Sequence, residues 1–397
     1  MEMDFFSKIL EQAVANNDGI GFSARITHKG RDLFCGAAGY ADLERKIPFT
    51  CDTLTRIFSM TKLITGVAAL KLFEQGCFSL DEPLSKYLPV FRDLKVISYD
   101  EGGKLKLVPS KVPLTIRHIF TMTAGFSYQF PTESFEIPAY SADAAEMSRK
   151  ILMETSVRPN LTSAQMLEAI ASIPMSFEPG TGWQYGLCCD ILAALIEAVS
   201  GKTFGAFLQE ELFTPLGMKD TGFRPHAQQL ARLAVLYDYS DPSQVKPYDD
   251  QAYNIVHSPG STNELFVGAL FSTLDDYTAF LQMICNNGVY EGQRILGAKT
   301  IEAMTSDQLT AEQRDCLQRS WYPAKHASWG LMGRVTLNLN NSRPYLFPGT
   351  FGWGGWAGTQ AIVDRKNELT ATFMVQRVPA DSYGVLSKLM QVAYGMI

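Results

Sequence analysis

Apolar side chains recur at helical spacing in several segments of the chain. Near the N-terminus, Phe5, Ile9, Leu10 and Val14 follow this spacing and predict an amphipathic helix. The same period predicts further helices at 61–76, 115–126, 162–174, 188–201 and 382–396. Two of these helices stop at a glycine, Gly76 and Gly201, as helices commonly do.

Strand patterns lie towards the two ends of the chain. Residues 21–42 contain two alternating runs around a turn at His28-Lys29-Gly30, which predicts a β-hairpin. Alternating or β-branched runs predict strands at 328–339, 359–365 and 368–378. We therefore expect one sheet built from both termini. This layout divides the chain into an α/β domain of residues 1–75 and 265–397 and a mainly helical domain of residues 76–264.

Composition and charge narrow the class of protein. Of the 397 residues, 46% are hydrophobic and 19% are charged, which is typical of a folded globular protein. The net charge of -6 gives no basic surface for nucleic acid. No apolar run reaches the roughly 18 residues that a membrane span needs. The N-terminal segment also lacks the pattern of a signal peptide, so we expect a cytoplasmic protein without nucleic-acid or membrane partners.

The cysteines do not form a recognisable framework. Their number is odd, there is no C-x-x-C, and no histidine cluster lies beside them. A disulfide framework or a zinc site is therefore not expected. Reduced and mostly buried thiols are the better interpretation. The seven residues are Cys35, Cys51, Cys77, Cys188, Cys189, Cys285 and Cys316.

An S-x-x-K motif occurs twice, and its context separates the two copies. Ser243 and Lys246 lie between prolines, where no helix holds the two side chains together. Ser59 and Lys62 open a strong helical segment instead. Residues three apart on a helix share one face, so these two side chains are expected to meet.

Two interpretations of Ser59 and Lys62 stay open on this motif alone. Ser59 is either a helix N-cap beside a solvated lysine or a nucleophile beside its activating partner. In the second case, the helix N-terminus and burial would lower the pKa of Lys62. The lysine could then accept a proton from the serine hydroxyl or hold a neighbouring phenolate in place.

Two further segments bear on this choice. The segment "FEPGTGWQYG" at 177–186 puts Tyr185 after a Pro-Gly turn and just before a helix. The segment "FPGTFGWGGWAGT" at 347–359 is a glycine-rich turn that runs into a strand. Glycines there allow a substrate to approach the backbone closely. Alternatively, Tyr185 is a loop aromatic in contact with water and the glycines only shape a hairpin.

Taken together, these motifs resemble those of the serine β-lactamase and penicillin-binding-protein superfamily, and more closely the family VIII carboxylesterases. The matching segments follow in order as "SMTK" (59–62), "HIFTMTAGF" (118–126), "PGTGWQYGLCCDILAALIE" (179–197) and "GWGGWAGT" (352–359). The resemblance covers roughly residues 20–390. It implies a composite α+β fold of the β-lactamase type, with an antiparallel sheet flanked by helices and a helical lobe.

The resemblance also implies roles for individual residues. Ser59 matches the nucleophile, Lys62 its activating partner, and Tyr185 the general base and acid. The backbone N–H groups of Ser59 and Trp356 match the oxyanion hole. In the implied mechanism an acyl-enzyme forms on Ser59 and water hydrolyses it, with no metal or organic cofactor. The sheet edge of the pocket is matched by Trp353, Gly354 and Gly355.

Two departures from the penicillin-processing pattern favour neutral esters. Leu187 stands where those relatives carry the asparagine of Y-x-N, so it offers no amide to a substrate. Trp353 stands at the lysine of K-T-G and cannot pair with a substrate carboxylate. An indole suits an apolar acyl or alcohol group instead. Phe126, Tyr128 and Phe130 either line this pocket or belong to the core of the helical lobe.

The leading hypothesis is a serine esterase for short- to medium-chain carboxylic esters, with a small-molecule ester as its substrate and partner. A β-lactamase, a D-amino-acid amidase or an acyltransferase of the same superfamily is the alternative. A non-catalytic binding module that keeps the fold is a third hypothesis, which the intact Ser59, Lys62 and Tyr185 disfavour. The natural ester, the stereoselectivity and the oligomeric state do not follow from the sequence.

Overall fold

The computed structural model describes most of the chain, namely residues 4–128, 143, 146–147, 149–150, 162–248, 270–320, 326–337, 346–381 and 383–397. Its helices, in chain order, are α1 Phe5–Ala15, α2 Thr61–Glu74, α3 Ile116–Phe120, α4 Ser163–Ser172, α5 Cys188–Ser200, α6 Phe204–Leu208, α7 Thr214–Leu216, α8 Ala227–Leu230, α9 Leu274–Cys285, α10 Ala298–Met304, α11 Ala311–Ser320 and α12 Tyr383–Gly395. A π-helical turn, Gln209–Phe213, joins α6 to α7. Three 3₁₀ turns lie at Phe58–Met60, Leu84–Lys86 and Pro89–Phe91.

The strands are mostly short. In chain order they are β1 Gly21–His28, β2 Arg31–Asp42, β3 Ile47–Pro48, β4 Thr55–Arg56, β5 Lys95–Tyr99, β6 Leu105–Pro109, β7 Tyr237–Asp238, β8 Lys246–Pro247, β9 Phe271–Ser272, β10 Val289–Tyr290, β11 Gln293–Arg294, β12 Ala327–Trp329, β13 Arg334–Thr336, β14 Phe351–Gly354, β15 Gln360–Asp364, β16 Leu369–Val375 and β17 Arg377–Val378.

One 8-stranded sheet joins the two ends of the chain in the order β12-β13-β14-β15-β16-β1-β2-β3. Every neighbouring pair in it is antiparallel. The central contact places β1 beside β16, with Phe22 opposite Val375 and His28 opposite Leu369. The expected composite α+β fold with an antiparallel sheet is confirmed.

The two faces of the sheet are covered by different helices. In β16, Leu369, Ala371 and Phe373 alternate onto the face that packs with α1 and α12. Met374 points to the other face, into the large core that also contains residues of α2, α5 and α9. This alternation follows from the two-residue period of a strand. It leaves both faces of the central strands buried, which explains their apolar sequence.

The predicted helix over 115–126 is wrong in its second half, because α3 ends at Phe120. Met122 has a φ of 58° and Gly125 a φ of 88°, in the left-handed region where a right-handed helix cannot continue. The backbone turns instead, and the N–H of Ser176 donates to the carbonyl of Gly125 at 2.8 Å. Residues 121–126 therefore form a turn that faces the segment carrying Tyr185.

The predicted strands near the C-terminus are present but interrupted. The segment 328–339 contains β12 and β13 joined by a turn in which Met332 has a φ of 71°. The segment 368–378 divides into β16 and β17, and β17 pairs with β7 in a separate 3-stranded sheet. The N-terminal hairpin and the remaining helices lie where the sequence predicts them. The domain boundaries at residues 75 and 265 stay a prediction.

A membrane-spanning helix must be both long and apolar, and this applies to each helix in the described part of the chain. No single helix there is both long enough and apolar enough to cross a membrane, although α5 together with Phe204–Leu216, bent by 79°, passes the same test as a pair.

Candidate active site

Ser59 lies in a tight turn directly before α2. The turn Phe58–Met60 is 3₁₀-helical, and Phe58 holds a φ of 47°, which is uncommon for a residue with a side chain. The N-cap position of α2 is Met60, whose side chain makes no capping hydrogen bond. The interpretation of Ser59 as a helix N-cap is therefore wrong. The hydroxyl of Tyr277, on α9, donates to the carbonyl of Met60 at 2.8 Å and fixes this turn.

Lys62 is the second residue of α2, and its side chain is fully buried, at 0% exposure. Its Nζ donates to Ser59 Oγ across 3.2 Å. The same Nζ lies 4.8 Å from the ring centroid of Tyr185 and 5.3 Å from that of Tyr128. The serine, the lysine and the tyrosine singled out from the sequence are therefore gathered at one place.

The pKa of Lys62 moves in the opposite direction from the sequence expectation. Burial lowers the pKa of Lys62, as expected, but charge on the oxygens of Tyr128 and Tyr185 outweighs burial and raises it well above its usual range. The expectation of a lowered pKa is therefore wrong. A lysine that stays cationic cannot take a proton from Ser59, but it can stabilise a phenolate beside it.

The backbone on both sides of Tyr185 packs closely against the turn that follows α3. The N–H of Gln184 donates to the carbonyl of Met122 at 2.9 Å. A Cβ added at Gly186 would lie 1.8 Å from the carbonyl oxygen of Phe126. Glycine is therefore required at 186 for this close approach. The left-handed turn at 121–126, which ends α3 early, thus supports the backbone on both sides of Tyr185.

Trp353 connects the sheet to the tyrosine. It lies on β14, 4% exposed, and its Nε1 donates to the Tyr185 hydroxyl oxygen at 2.9 Å. An indole N–H is only a donor, so the Tyr185 oxygen must accept this bond. Other aromatic rings surround Tyr185, with centroids at 5.4 Å for Tyr128, 6.4 Å for Trp183 and 6.3 Å for Trp329.

The glycines after Trp353 bring the edge of the sheet to the nucleophile turn. A Cβ at Gly355 would lie 2.2 Å from Thr359 Oγ1 and 2.6 Å from the carbonyl oxygen of Ile57. A Cβ at Gly354 would meet the amide of Gln360 at 2.5 Å. Since Ile57 is two residues before Ser59, the backbone beyond Gly355 passes beside the serine. The oxyanion-hole role of Trp356 stays a prediction.

The side chain of Trp356 is 40% exposed next to the same turn. Its ring meets the edge of Phe58 at 5.7 Å and that of Tyr248 at 5.5 Å between centroids. Phe58 directly precedes Ser59 in the chain. The three rings therefore form an aromatic surface beside the nucleophile, which we call the 58–248–356 surface.

The weaker pocket candidates are placed differently from one another. Tyr128 lies against Tyr185 and Lys62, and burial raises the pKa of its phenol well above the usual range although the charge of Lys62 opposes this. Phe126 is 0% exposed and meets Phe91 at 5.9 Å, which favours the core interpretation. Leu187 is 1% exposed in the same core. Phe130 lies outside the described residues.

Three residues near the site were not singled out from the sequence. Trp183 and Trp329 line the aromatic cluster around Tyr185, and Tyr277 holds the turn of Ser59. Only Trp183 lies inside a motif, two residues before Tyr185. One sequence signal points to Tyr277, namely its place on the apolar stripe of α9. A phenol buried there normally finds a hydrogen-bond acceptor.

The described residues offer no cluster of metal ligands. Within those ranges, no three side chains of His, Cys, Asp or Glu gather as metal ligands would. The groups around Ser59 are a lysine, phenols and indoles, which are not the ligands that Mg²⁺ or Zn²⁺ prefers. The absence of a cofactor stays a prediction.

The chain is similar to known proteins over nearly its whole length. The family model described as Beta-lactamase matches residues 6–393. Esterase EstB of Burkholderia gladioli is 33% identical over 377 residues, which cover 90% of this chain and 86% of EstB. The acyltransferase calJ of Penicillium decumbens is 27% identical over 89% of this chain and 83% of its own length.

A solved structure shows the same fold at lower sequence identity. EstCE1, described as a hydrolase with promiscuous acyltransferase activity, superposes with a TM-score of 0.79 and 22% identity. The match covers 97% of each chain. At this identity the likeness concerns the fold alone, which is of the β-lactamase type.

Proposed function

This chain belongs to the β-lactamase family, as a hydrolase or acyl-transferring enzyme, and on that premise we propose that it is a serine esterase. Its substrates are short- to medium-chain neutral carboxylic esters, cleaved through an acyl-enzyme on Ser59. The gathering of Ser59, Lys62 and Tyr185 around a contact of 3.2 Å between Lys62 Nζ and Ser59 Oγ supports this chemistry.

The proton transfers run through Tyr185 in this proposal. Tyr185 takes the proton of Ser59 as the serine oxygen attacks the ester carbonyl, and it returns the proton to the leaving alcohol. The cationic Lys62 and the indole N–H of Trp353 both stabilise negative charge on the Tyr185 oxygen. Water then repeats the cycle on the acyl-enzyme, and the free acid leaves.

The oxyanion of the tetrahedral intermediate is bound by backbone N–H groups of Ser59 and Trp356. Gly355 supports this assignment, because its lack of a side chain lets the segment approach the carbonyl of Ile57. Donors held rigidly by a sheet edge and a helix start need no reorganisation during the reaction.

The hydrogen bond from Trp353 to Tyr185 is the observation that carries the choice of substrate. Because Trp353 stands at the lysine position of K-T-G, this position presents an indole to the substrate and not a positive charge. A substrate carboxylate would find no partner in this side chain, whereas an uncharged ester loses nothing. The similarity to an esterase that is 33% identical supports the same substrate class.

Acyl transfer is the second candidate, favoured by the similarity to the acyltransferase calJ. The 58–248–356 surface supports it too, since the exposed indole of Trp356, packed on Phe58 and Tyr248, could hold an acceptor alcohol against water. An ester assay with added butanol separates the two activities. If butyl ester exceeds free acid among the products, transfer is the main activity.

The test of the esterase proposal compares two serine variants. Hydrolysis of p-nitrophenyl acetate, butyrate, octanoate and palmitate is measured beside nitrocefin. Ser59→Ala should lower kcat for the best ester by at least about 10³-fold. Ser243→Ala is the matched control, because Ser243 belongs to the other S-x-x-K motif and bonds Asp241 at 2.7 Å. Equal activity of Ser59→Ala and wild type would refute the nucleophile.

The same experiment separates the remaining alternatives. Nitrocefin turnover comparable to the best ester would favour a β-lactamase. Failure of a fluorophosphonate to label Ser59 would favour a non-catalytic module. The cytoplasmic location and the lack of nucleic-acid and membrane partners stay predictions, and cell fractionation tests the first.

A further inference from the structure

Two cysteine sulfurs lie in contact at the edge of the large sheet. Cys35 is exposed on β2, Cys51 is partly buried after β3, and the two Sγ atoms are 3.4 Å apart. The strand ladder explains their meeting. Pairing of β2 with β3 continues through the N–H of Phe49, which donates to the carbonyl of Gly39 at 2.9 Å. The segment after β3 therefore runs back along β2 and brings Cys51 to Cys35.

The contact between the two sulfurs favours the thiolate form of Cys35. The hydrogen bond with Cys51 lowers the pKa of Cys35 to about 7, and Arg25 also lowers it, while burial and the carboxylates of Asp32 and Asp275 oppose the change. Arg25 lies directly opposite Cys35 in the β1–β2 ladder. The pKa of Cys51 is raised, because this thiol holds the proton that the two sulfurs share. One sulfur is thus a nucleophile and its neighbour a protonated thiol.

The other cysteines in the described residues do not offer this combination. Cys188 and Cys189 are buried, and burial raises the pKa of each to about 12. Burial also raises the pKa of Cys285 to about 12. The sequence expectation of mostly buried thiols is therefore wrong, because only Cys188 and Cys189 are buried, four thiols are partly buried, and Cys35 is exposed. Reactivity should concentrate there, since the thiolate is the reacting species.

We propose that Cys35 and Cys51 form a dithiol site that peroxides oxidise to a disulfide. The Cys35 thiolate attacks one peroxide oxygen, the O–O bond breaks, and the leaving hydroxide becomes water by taking from the buffer the proton that Cys35 released on ionisation. Cys35 is then a sulfenic acid. The Cys51 sulfur attacks the Cys35 sulfur, the S–O bond breaks, and the leaving hydroxide accepts the Cys51 proton as water. Two thiols supply the two electrons that reduce the peroxide.

The new bond would tie β2 to the segment that leads to β4 and the turn of Ser59. It closes a loop between residues 16 positions apart. Cross-linking a loop of this length restricts the unfolded chain, so oxidation should raise Tm by about 3 °C in a protein of this size. Reduction with dithiothreitol should return Tm to its starting value.

Peptide mapping tests the pairing directly. The full-length protein is treated with one equivalent of hydrogen peroxide, blocked with N-ethylmaleimide and digested with trypsin without reduction. Cleavage after Arg31, Arg45, Lys46 and Arg56 should yield peptides 32–45 and 47–56 joined through Cys35 and Cys51. Cys316→Ser should give the same linked peptide, whereas Cys35→Ser and Cys51→Ser should not.

A rate measurement guards against a disulfide formed by chance. Iodoacetamide should alkylate Cys35 of wild type at pH 7 about three times as fast as Cys35 of Cys51→Ala, because that variant lacks the thiol that stabilises the thiolate. The proposal is overturned if no 32–45 to 47–56 link forms. It is equally overturned if the link forms but the alkylation rate does not depend on Cys51, because the pair is then not activated.

Discussion

Lys62 is a charged side chain that the fold removes completely from water. A buried ammonium is costly unless oxygen atoms and aromatic faces replace the lost hydration. Here Ser59 Oγ, Tyr128 and Tyr185 provide them within a few ångströms. The cost of burying the charge is therefore offset by the groups whose chemistry it controls.

At the same scale, Trp353 is expected to act through Tyr185. Trp353→Phe keeps a flat apolar ring but removes the N–H that donates to the Tyr185 oxygen at 2.9 Å. We expect kcat for p-nitrophenyl butyrate to fall about tenfold to a hundredfold with little change in KM, since the lost donor stabilises charge that develops during reaction. Steady-state kinetics measure the two constants separately.

The matched control is Trp183→Phe. Trp183 is also buried beside Tyr185, yet its Nε1 has no hydrogen-bond partner among the described residues. Its replacement should leave kcat within about twofold of wild type. A similar loss in both variants would show that ring packing, and not the N–H, explains the effect.

At the scale of elements, the site depends on a turn, a helix start and a strand end that touch through backbone atoms. The turn at 121–126 supports the segment before α5, and the end of β14 reaches the carbonyl of Ile57. Such contacts leave no room for side chains. Glycine is used where two backbones must approach more closely than a Cβ permits.

Gly186→Ala tests this arrangement. Its Cβ would stand 1.8 Å from the carbonyl oxygen of Phe126, so the two segments must separate and Tyr185 must move. We expect at least about 2 kcal/mol of destabilisation and at least a roughly tenfold loss of kcat. Gly222→Ala is the control, because nothing lies within 4 Å of its added Cβ. Urea unfolding and ester kinetics check both, and a fully active Gly186→Ala would contradict the argument.

The start of α9 gives a pH-dependent prediction. Asp276 is 8% exposed and accepts hydrogen bonds from the N–H of Asp220 at 2.7 Å and the hydroxyl of Thr221 at 2.9 Å. Burial nevertheless raises the pKa of Asp276 to about 6 from 3.8. A raised pKa means that this carboxyl stabilises the fold below about pH 4 and that the contribution is lost as pH rises through 6.

Asp276→Asn keeps an acceptor oxygen but stays uncharged. Its stability relative to wild type should therefore increase by roughly 2–3 kcal/mol between pH 4 and pH 7, measured by urea unfolding at each pH. Asp42→Asn should show no such increase between pH 4 and pH 7, because backbone hydrogen bonding at Arg45 lowers the pKa of Asp42 and its contribution changes only below about pH 4. A pH-independent difference for Asp276→Asn would contradict the assignment.

At the scale of the whole molecule, the helical lobe and the sheet share one core. The same cluster holds Phe120 of α3, Leu192 of α5 and Met374 of β16. The Phe120 carbonyl also accepts hydrogen bonds from Met332 N–H at 3.0 Å and Trp329 Nε1 at 3.3 Å. Segments of both predicted domains therefore depend on each other for burial.

We accordingly expect one cooperative unfolding transition. Calorimetry should give a single endotherm whose midpoint coincides with the loss of ester hydrolysis and of near-ultraviolet circular dichroism. The reason is that separating the lobes would expose the shared core of both. Two resolved endotherms, with activity lost in only one, would contradict this expectation and would support independent domains.

The sequence by itself determined what depends on neighbouring residues. Helical and strand periods located α1, α2, α4, α5, α12 and the N-terminal hairpin, and the contexts of the two S-x-x-K motifs distinguished Ser59 from Ser243. The order of the motifs identified the family. Each of these signals lies within a short window, where side-chain spacing and turn residues act directly on the backbone.

Tertiary structure decided what depends on residues far apart in the chain. The hydrogen bond between Trp353 and Tyr185 joins positions that are 168 residues apart. The left-handed backbone at Met122 belongs to the turn that packs against the segment of Gly186. The charge state of Lys62 and the contact of Cys35 with Cys51 likewise follow from neighbours that local sequence does not specify. The burial of a group and the electrostatic field on it depend on all atoms nearby in space. The direction of a pKa shift therefore follows only from the folded chain.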